Sequence, residues 1–343
     1  MGNFHNNVLV VSQAWIGDII MSQSLLIQLK KTQKEMNLDV LAPEWAMPLL
    51  KRMPEVRDVI SLPVKHGELA LKKRLAVAKR LKGKYDHAIV LPRSFKSALV
   101  PYFANIEKRT GYLGELRYVL LNDIRPHDKK LVPKTVLQFK NLGLASQDAS
   151  ADLIIDKPYL RISNKKVQDS LLKFGLDTKK SIVALMPGAE FGPSKRWPPL
   201  KFAHLATKLN QTGISIWLFG SANDVAIGKE ICKESDAPII NLCGKTTLDE
   251  AIDLISCVDL AITNDTGLMH VAAATGRSLI SIYGATSPTL YPPITKNAEI
   301  MYSGIECSPC MQKSCRYGHY KCLTEINTDE VFEKIMKRLP ALN

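Results

Sequence analysis

The sequence predicts an α/β protein built from two doubly wound domains in tandem. Three observations predict it. Short apolar runs alternate with amphipathic segments, the rhythm of a parallel sheet with helical crossovers. That rhythm breaks once, in a polar stretch at 149–166 containing Pro158, and then restarts. The length, 343 residues, suits two domains that each bury a core of their own.

In the first half, residues 8–11 (Val-Leu-Val-Val) read as a strand, and 22–31 as a helix with Leu25, Leu26 and Leu29 on one face. Further strands are expected at 38–42, 56–62 and 85–91, with helices at 44–52, 69–81, 95–104 and 132–142. After the break, strands are expected at 181–186, 214–219, 239–242, 260–263 and 279–283, and helices at 200–210, 225–234, 248–257 and 267–274. A loop rich in Pro and Cys, 287–321, leads to a last helix at 328–339, with Thr328 as N-cap and Lys337 and Arg338 in its final turn. The domains are set at 1–160 and 161–325, with 326–343 as a C-terminal helical segment.

Composition narrows the class. With 46% hydrophobic and 23% charged residues, disordered and collagen-like chains are excluded. No apolar run is long enough for a transmembrane helix. The start lacks the basic segment and long apolar run of a signal peptide, so a cytoplasmic location is expected. Seven cysteines, all beyond position 230, argue against a disulfide framework. The net charge of +13 is uneven, at +10 for residues 1–160 and +3 for 161–343. The first half therefore faces something anionic: nucleic acid, an acidic membrane surface or a phosphorylated substrate. A basic nucleic-acid-binding protein is the alternative from another class, but no RNP pattern or Cys/His finger supports it.

Ligands of open α/β sheets bind beyond the carboxyl ends of the strands, which directs attention to three loops. The first holds Trp15, Gly17 and Asp18. Gly17 permits a close turn, Trp15 could line a pocket, and Asp18 reads either as a helix-start carboxylate or as a general base. The loop lacks a full G-x-G-x-x-G, against ordinary dinucleotide binding. The second, 187–198, offers Gly188 and Gly192 for close backbone approach and Lys195-Arg196 as charge opposite a phosphate. The third, Thr263-Asn264-Asp265-Thr266-Gly267-Leu268-Met269-His270, opens a helix whose free amides suit a diphosphate, with Thr266 and His270 on one face over that opening.

These loops, together with Leu-Phe-Gly-Ser-Ala at 218–222 and Tyr-Gly-Ala-Thr-Ser-Pro at 283–288, resemble the lipopolysaccharide heptosyltransferases of glycosyltransferase family nine along nearly the whole chain. The Asp-x-Gly-x-x-His segment at 265–270 is the most specific part. The tail at 316–323 (Arg-Tyr-Gly-His-Tyr-Lys-Cys-Leu) resembles the branch that adds the second heptose. The resemblance implies a GT-B fold, two Rossmann-like domains facing a cleft, with the acceptor on the first, the nucleotide sugar on the second, and the last helix packing back near the first. It implies ADP-heptose as donor and heptosyl-Kdo-lipid A as acceptor at the inner face of the inner membrane, in lipopolysaccharide core biosynthesis. Another heptosyltransferase or a nucleotide-sugar epimerase is the alternative within that frame.

By the same resemblance Asp18 is the base and Lys195 stabilises the departing ADP with the amides at Thr266 and Gly267. Asp265 orders its loop or reaches a donor hydroxyl, and His270 approaches phosphate or ribose. Ser221, Lys245 and Thr246 are weaker candidates for ribose and adenine. No Asp-x-Asp motif is present, so no cofactor or divalent metal is required. Cys307, Cys310, Cys315 and Cys322 follow C-x2-C-x4-C-x6-C, open to zinc, to reduced thiols or to a labile disulfide. The basic stretch 69–84 is expected to be a solvated helix face with its leucines in the core, a membrane-surface role being the sharper option. Trp45 and Trp217 are expected in the core.

Overall fold

Residues 6–339 are described by the computed structural model, apart from 66, 146–149, 151 and 152, so part of the break at 149–166 lies outside them. The chain divides into two units, 1–161 and 162–343.

In the first unit the strands are β1 (Asn7–Val11), β2 (Asn37–Ala42), β3 (Asp58–Ser61), β4 (His87–Val90), β5 (Lys108–Tyr112) and β6 (Asp123–Arg125). All pair in parallel, in the order β3-β2-β1-β4-β5-β6, the Rossmann order. The central strands are buried on both faces, as their unbroken apolar runs require. Helix α1 (Ile16–Thr32) begins six residues before its apolar stripe becomes legible and buries Ile19, Ile20, Leu25, Leu26 and Leu29. The expected helix at 44–52 is a 3-10 turn followed by the short α2 (Met47–Leu50), because Pro48 has no N–H with which to continue the first turn. Helices α3 (Leu71–Leu81), α4 (Leu99–Phe103) and α5 (Thr135–Asn141) complete the unit. In α3 the core face is Val77, Ala78, Leu81 and the buried Arg74, while Leu69, Leu71 and Leu75 are exposed, which corrects their expected burial. Trp45 is also exposed rather than in the core.

The second unit opens with α6 (Asn164–Phe174), ended by Gly175 in the left-handed conformation. Its strands are β7 (Ile182–Met186), β8 (Ser215–Leu218), β9 (Ile239–Asn241), β10 (Leu260–Asn264), β11 (Ser278–Tyr283) and β12 (Ala298–Tyr302), in the order β12-β11-β10-β7-β8-β9. The helices are α7 (Pro199–Gln211), α8 (Val225–Glu234), α9 (Leu248–Ile255), α10 (Gly267–Ala274), α11 (Lys321–Thr324) and α12 (Thr328–Arg338). Trp197, Phe202 and Trp217 are fully buried. The last helix is part of this unit's core. Val331, Ile335 and Leu339 join the second unit's own core, against α7 and β11, beside Leu323 and Ile326. Its N-cap is Asn327, whose side chain accepts from the Asp329 N–H, rather than Thr328. Among the described residues no helix is long and apolar enough to cross a membrane.

Candidate active site

Each sheet has one switch point, where the connections from two neighbouring parallel strands lead off in opposite directions and a crevice opens at the strands' carboxyl ends. In the first unit it lies between β1 and β4, where Gln13 Nε2 donates to Leu91 O at 3.1 Å. Asp18 stands there, partly buried in the first turn of α1, where the helix dipole favours a carboxylate. Trp15 is the N-cap residue and half-exposed. Gly17 lies within the helix, not in the close turn expected of it.

The switch point of the second unit lies between β7 and β10. The loop after β7 brings Lys195 to Asp265, which follows β10, with Nζ 2.6 Å from Oδ2. The pair is mostly buried, the side chains being 14% and 5% exposed. Two groups that no local pattern indicated share this spot. Thr286 donates its hydroxyl to the same Asp265 Oδ2 at 2.5 Å, and the Phe191 ring lies 5.0 Å from Lys195 Nζ. Asn264 holds the two loops together: its Oδ1 accepts from the Trp197 N–H and its Nδ2 donates to Pro187 O. Arg196 turns back onto its own loop, donating to Ala189 O at 3.2 Å, so of the two adjacent cations only Lys195 meets Asp265.

Next to this pair α10 begins. Thr266 is its N-cap residue, in extended conformation, and Thr266 and Gly267 are partly accessible. The first amides of a helix have no partner within it and suit an anion. His270, expected over this opening, is instead 3% exposed. Burial holds its pKa down to about 4, so the ring is neutral at physiological pH, and Nδ1 has no hydrogen-bond partner.

Gly188 and Ser221 have structural duties. A Cβ on Gly188 would fall 2.5 Å from the carboxylate of Asp224, and Ser221 donates to that carboxylate through both its N–H (2.8 Å) and its hydroxyl (2.7 Å). The Ser221 hydroxyl ties down the start of α8, and Asp224 is a buried carboxylate that the sequence analysis does not single out. Its signal was the Ser-x-x-Asp spacing at a helix start. Lys245 is exposed and Thr246 partly so, in the loop after β9, which Gly244 joins to the loop after β8 by donating to Gly220 O at 3.0 Å.

The cysteine-rich tail is fastened to the Lys195 loop. Gly192, at φ +149°, lies where a Cβ would be 2.4 Å from Lys313 O, and Ser194 donates through its N–H to Lys313 O and through its hydroxyl to Gln312 O. Cys307, Cys310, Cys315 and Cys322 all line a cavity of about 20 Å³, and all four are reduced. Among the described residues no three His, Cys, Asp or Glu side chains are grouped to hold a metal ion.

A carboxylate at one switch point, and a lysine beside free helix amides at the other, are the groups that transfer from a nucleotide diphosphate sugar calls for; the class is a glycosyltransferase of two Rossmann-like units. The sequence profile of "Glycosyltransferase family 9 (heptosyltransferase)" matches residues 74–321, and the chain belongs to that family. It is 41% identical to lipooligosaccharide heptosyltransferase 2 of Haemophilus influenzae over 97% of this chain and 99% of that one. It is 40% identical to lipopolysaccharide heptosyltransferase 2 of Escherichia coli K12, over 96% and 97% of the two chains. The solved structure of E. coli ADP-heptose lipopolysaccharide heptosyltransferase II superposes with a TM-score of 0.86 at 38% identity, covering 96% of this chain and 98% of that one. The fold is GT-B.

Proposed function

We propose that this enzyme moves L-glycero-D-manno-heptose from ADP-heptose to the first heptose of heptosyl-Kdo-lipid A, in the cytoplasm at the inner face of the inner membrane, during lipopolysaccharide core biosynthesis. The observation that carries the proposal is the end-to-end similarity, about 40% identity, to enzymes named lipooligosaccharide or lipopolysaccharide heptosyltransferase 2. The site chemistry agrees with it. Asp18 takes the proton of the acceptor hydroxyl as it attacks the anomeric carbon in one inverting displacement. Negative charge grows on the departing ADP, and Lys195 with the amides at Thr266 and Gly267 meets it. Asp265 holds Lys195 ready, and the incoming diphosphate competes for the same ammonium. Lys245 and Thr246, accessible in the loop after β9, are assigned to the ribose and adenine. The reaction is written without a cofactor or divalent metal and without nucleic acid. The excess of +10 in residues 1–160 suits the carboxylates and phosphates of the acceptor.

The test incubates the protein with ADP-heptose and mono-heptosylated Kdo-lipid A while following ADP release and product mass. Release of ADP with a gain of one heptose in the acceptor is expected. Release no faster than with donor alone would overturn the proposal.

A further inference from the structure

Three strand-end loops of the first unit, after β4, β5 and β6, are tied into one platform. Arg117 is fully buried and acts as the pin: Nη1 donates to Pro92 O at 2.6 Å, Ser94 O at 3.1 Å and Ser97 Oγ at 2.9 Å, and Nη2 donates to Tyr112 O at 2.6 Å. Glu115 accepts from the Phe95 N–H at 2.7 Å. Gly114 lies so close to Arg93 that a Cβ would fall 2.5 Å from its carbonyl oxygen. Arg93 Nη1 in turn lies 3.1 Å from His127 Nδ1, which brings in the third loop.

This scaffold turns apolar side chains into solvent. Leu116 is 82% exposed, Val119 73%, Tyr118 57% and Phe95 43%. Glu115 and Leu116 both adopt left-handed backbone, at φ 47° and 53°, which non-glycine residues avoid. A buried arginine and two strained residues thus hold a leucine out of any core. Apolar residues grouped in this way on a soluble protein mark a contact surface.

The charge around them selects the partner. Residues 92–97, 113–121 and 126–131 contain five cations and two acids, and Arg93, Lys129 and Lys130 are exposed on the same three loops. A second copy of the chain would bring like charges together, whereas an anionic lipid surface complements both the cations and the apolar tips. We propose that this platform rests on an anionic bilayer, with Leu116, Tyr118, Val119 and Phe95 entering the headgroup region while Arg93, Lys129 and Lys130 meet lipid phosphates. It deepens the membrane-side reaction above and rests on that reading only for which membrane is met.

The test is co-sedimentation with vesicles of phosphatidylethanolamine and phosphatidylglycerol, and separately of phosphatidylcholine, containing neither donor nor acceptor. The unaltered protein is expected to bind the anionic vesicles at least about tenfold more tightly than the neutral ones. Leu116→Glu/Val119→Glu is expected to lose at least about tenfold in that binding, with unchanged melting temperature and unchanged turnover on a de-acylated, soluble acceptor. Lys129→Glu/Lys130→Glu is expected to weaken anionic binding without altering binding to phosphatidylcholine. Equal binding to both vesicle types, or a Leu116→Glu/Val119→Glu protein that sediments like the unaltered one, overturns the proposal. Because vesicle binding needs no transfer, it reads independently of the ADP-release assay.

Discussion

Replacing Lys195 by Met removes the ammonium but keeps most of the stem, and leaves Asp265 only 5% exposed with Thr286 still donating to it. Removing one partner of a buried ion pair strands the other charge away from water, at a cost of about 3 kcal/mol. For a unit of this size that is a fall of about 6–12 °C in its melting transition. The same reasoning predicts an asymmetry. In Lys195→Met/Asp265→Asn no charge is stranded and Thr286 keeps an acceptor, so the loss should shrink to about 1 kcal/mol, and once the loss of Asp265→Asn alone is counted the coupling between the sites is at least about 2 kcal/mol. Urea unfolding of the two single variants and the double variant gives the cycle directly. A Lys195→Met protein within about 0.5 kcal/mol of the unaltered one, or purely additive losses, would refute the assignment of these two charges as a buried, mutually dependent pair.

Other outcomes follow from the same structure. The His270 pKa of about 4 lies below its ordinary 6.5, so the unfolded chain binds the extra proton first and stability falls as pH drops from about 6.5 to 4. The shift corresponds to about 3 kcal/mol, and His270→Gln should flatten that window in urea titrations at stepped pH. Gly192→Ala drives a Cβ into Lys313 O and should cost at least about 2 kcal/mol in thermal or urea unfolding, while lowering transfer because the tail no longer seats on the Lys195 loop. Among the tail thiols, the backbone N–H of Tyr320, helped by those of Tyr317, Gly318 and His319, holds Cys315 below its ordinary pKa, whereas burial pushes Cys322 up to about 11. Iodoacetamide at neutral pH should therefore label Cys315 well before Cys322, as read by peptide mass.

The central strands and most helices of both units were legible because a parallel strand covered on both faces is written as an apolar run. The strands that escaped notice lie toward the sheet edges. Lys108-Arg109-Thr110-Gly111-Tyr112 has no apolar run, and Asp123-Ile124-Arg125 is too short to show a period; only pairing to β4 and then to each other makes them strands. Helix α6 was lost in the polar break because its buried residues, Ser170 and Leu171, make no visible stripe. At the site, the loops were found but their wiring was not. Lys195 and Asp265 are seventy positions apart, and nothing local says that the charge expected for a phosphate is engaged by an aspartate that also takes the Thr286 hydroxyl. At Gly188 the sequence shows a glycine beside a strand end but not that the space a Cβ would take is filled by the Asp224 carboxylate.

The proposed mechanism separates the roles of the two switch points, the base on one and the diphosphate on the other. Single-turnover transfer by Asp18→Asn, with donor saturating and ADP affinity measured on the same protein by calorimetry, tests it most directly. The predicted result is a rate lowered by about 10²–10⁴-fold with ADP affinity unchanged. An unaltered rate, or a rate and an ADP affinity that fall together, would contradict it.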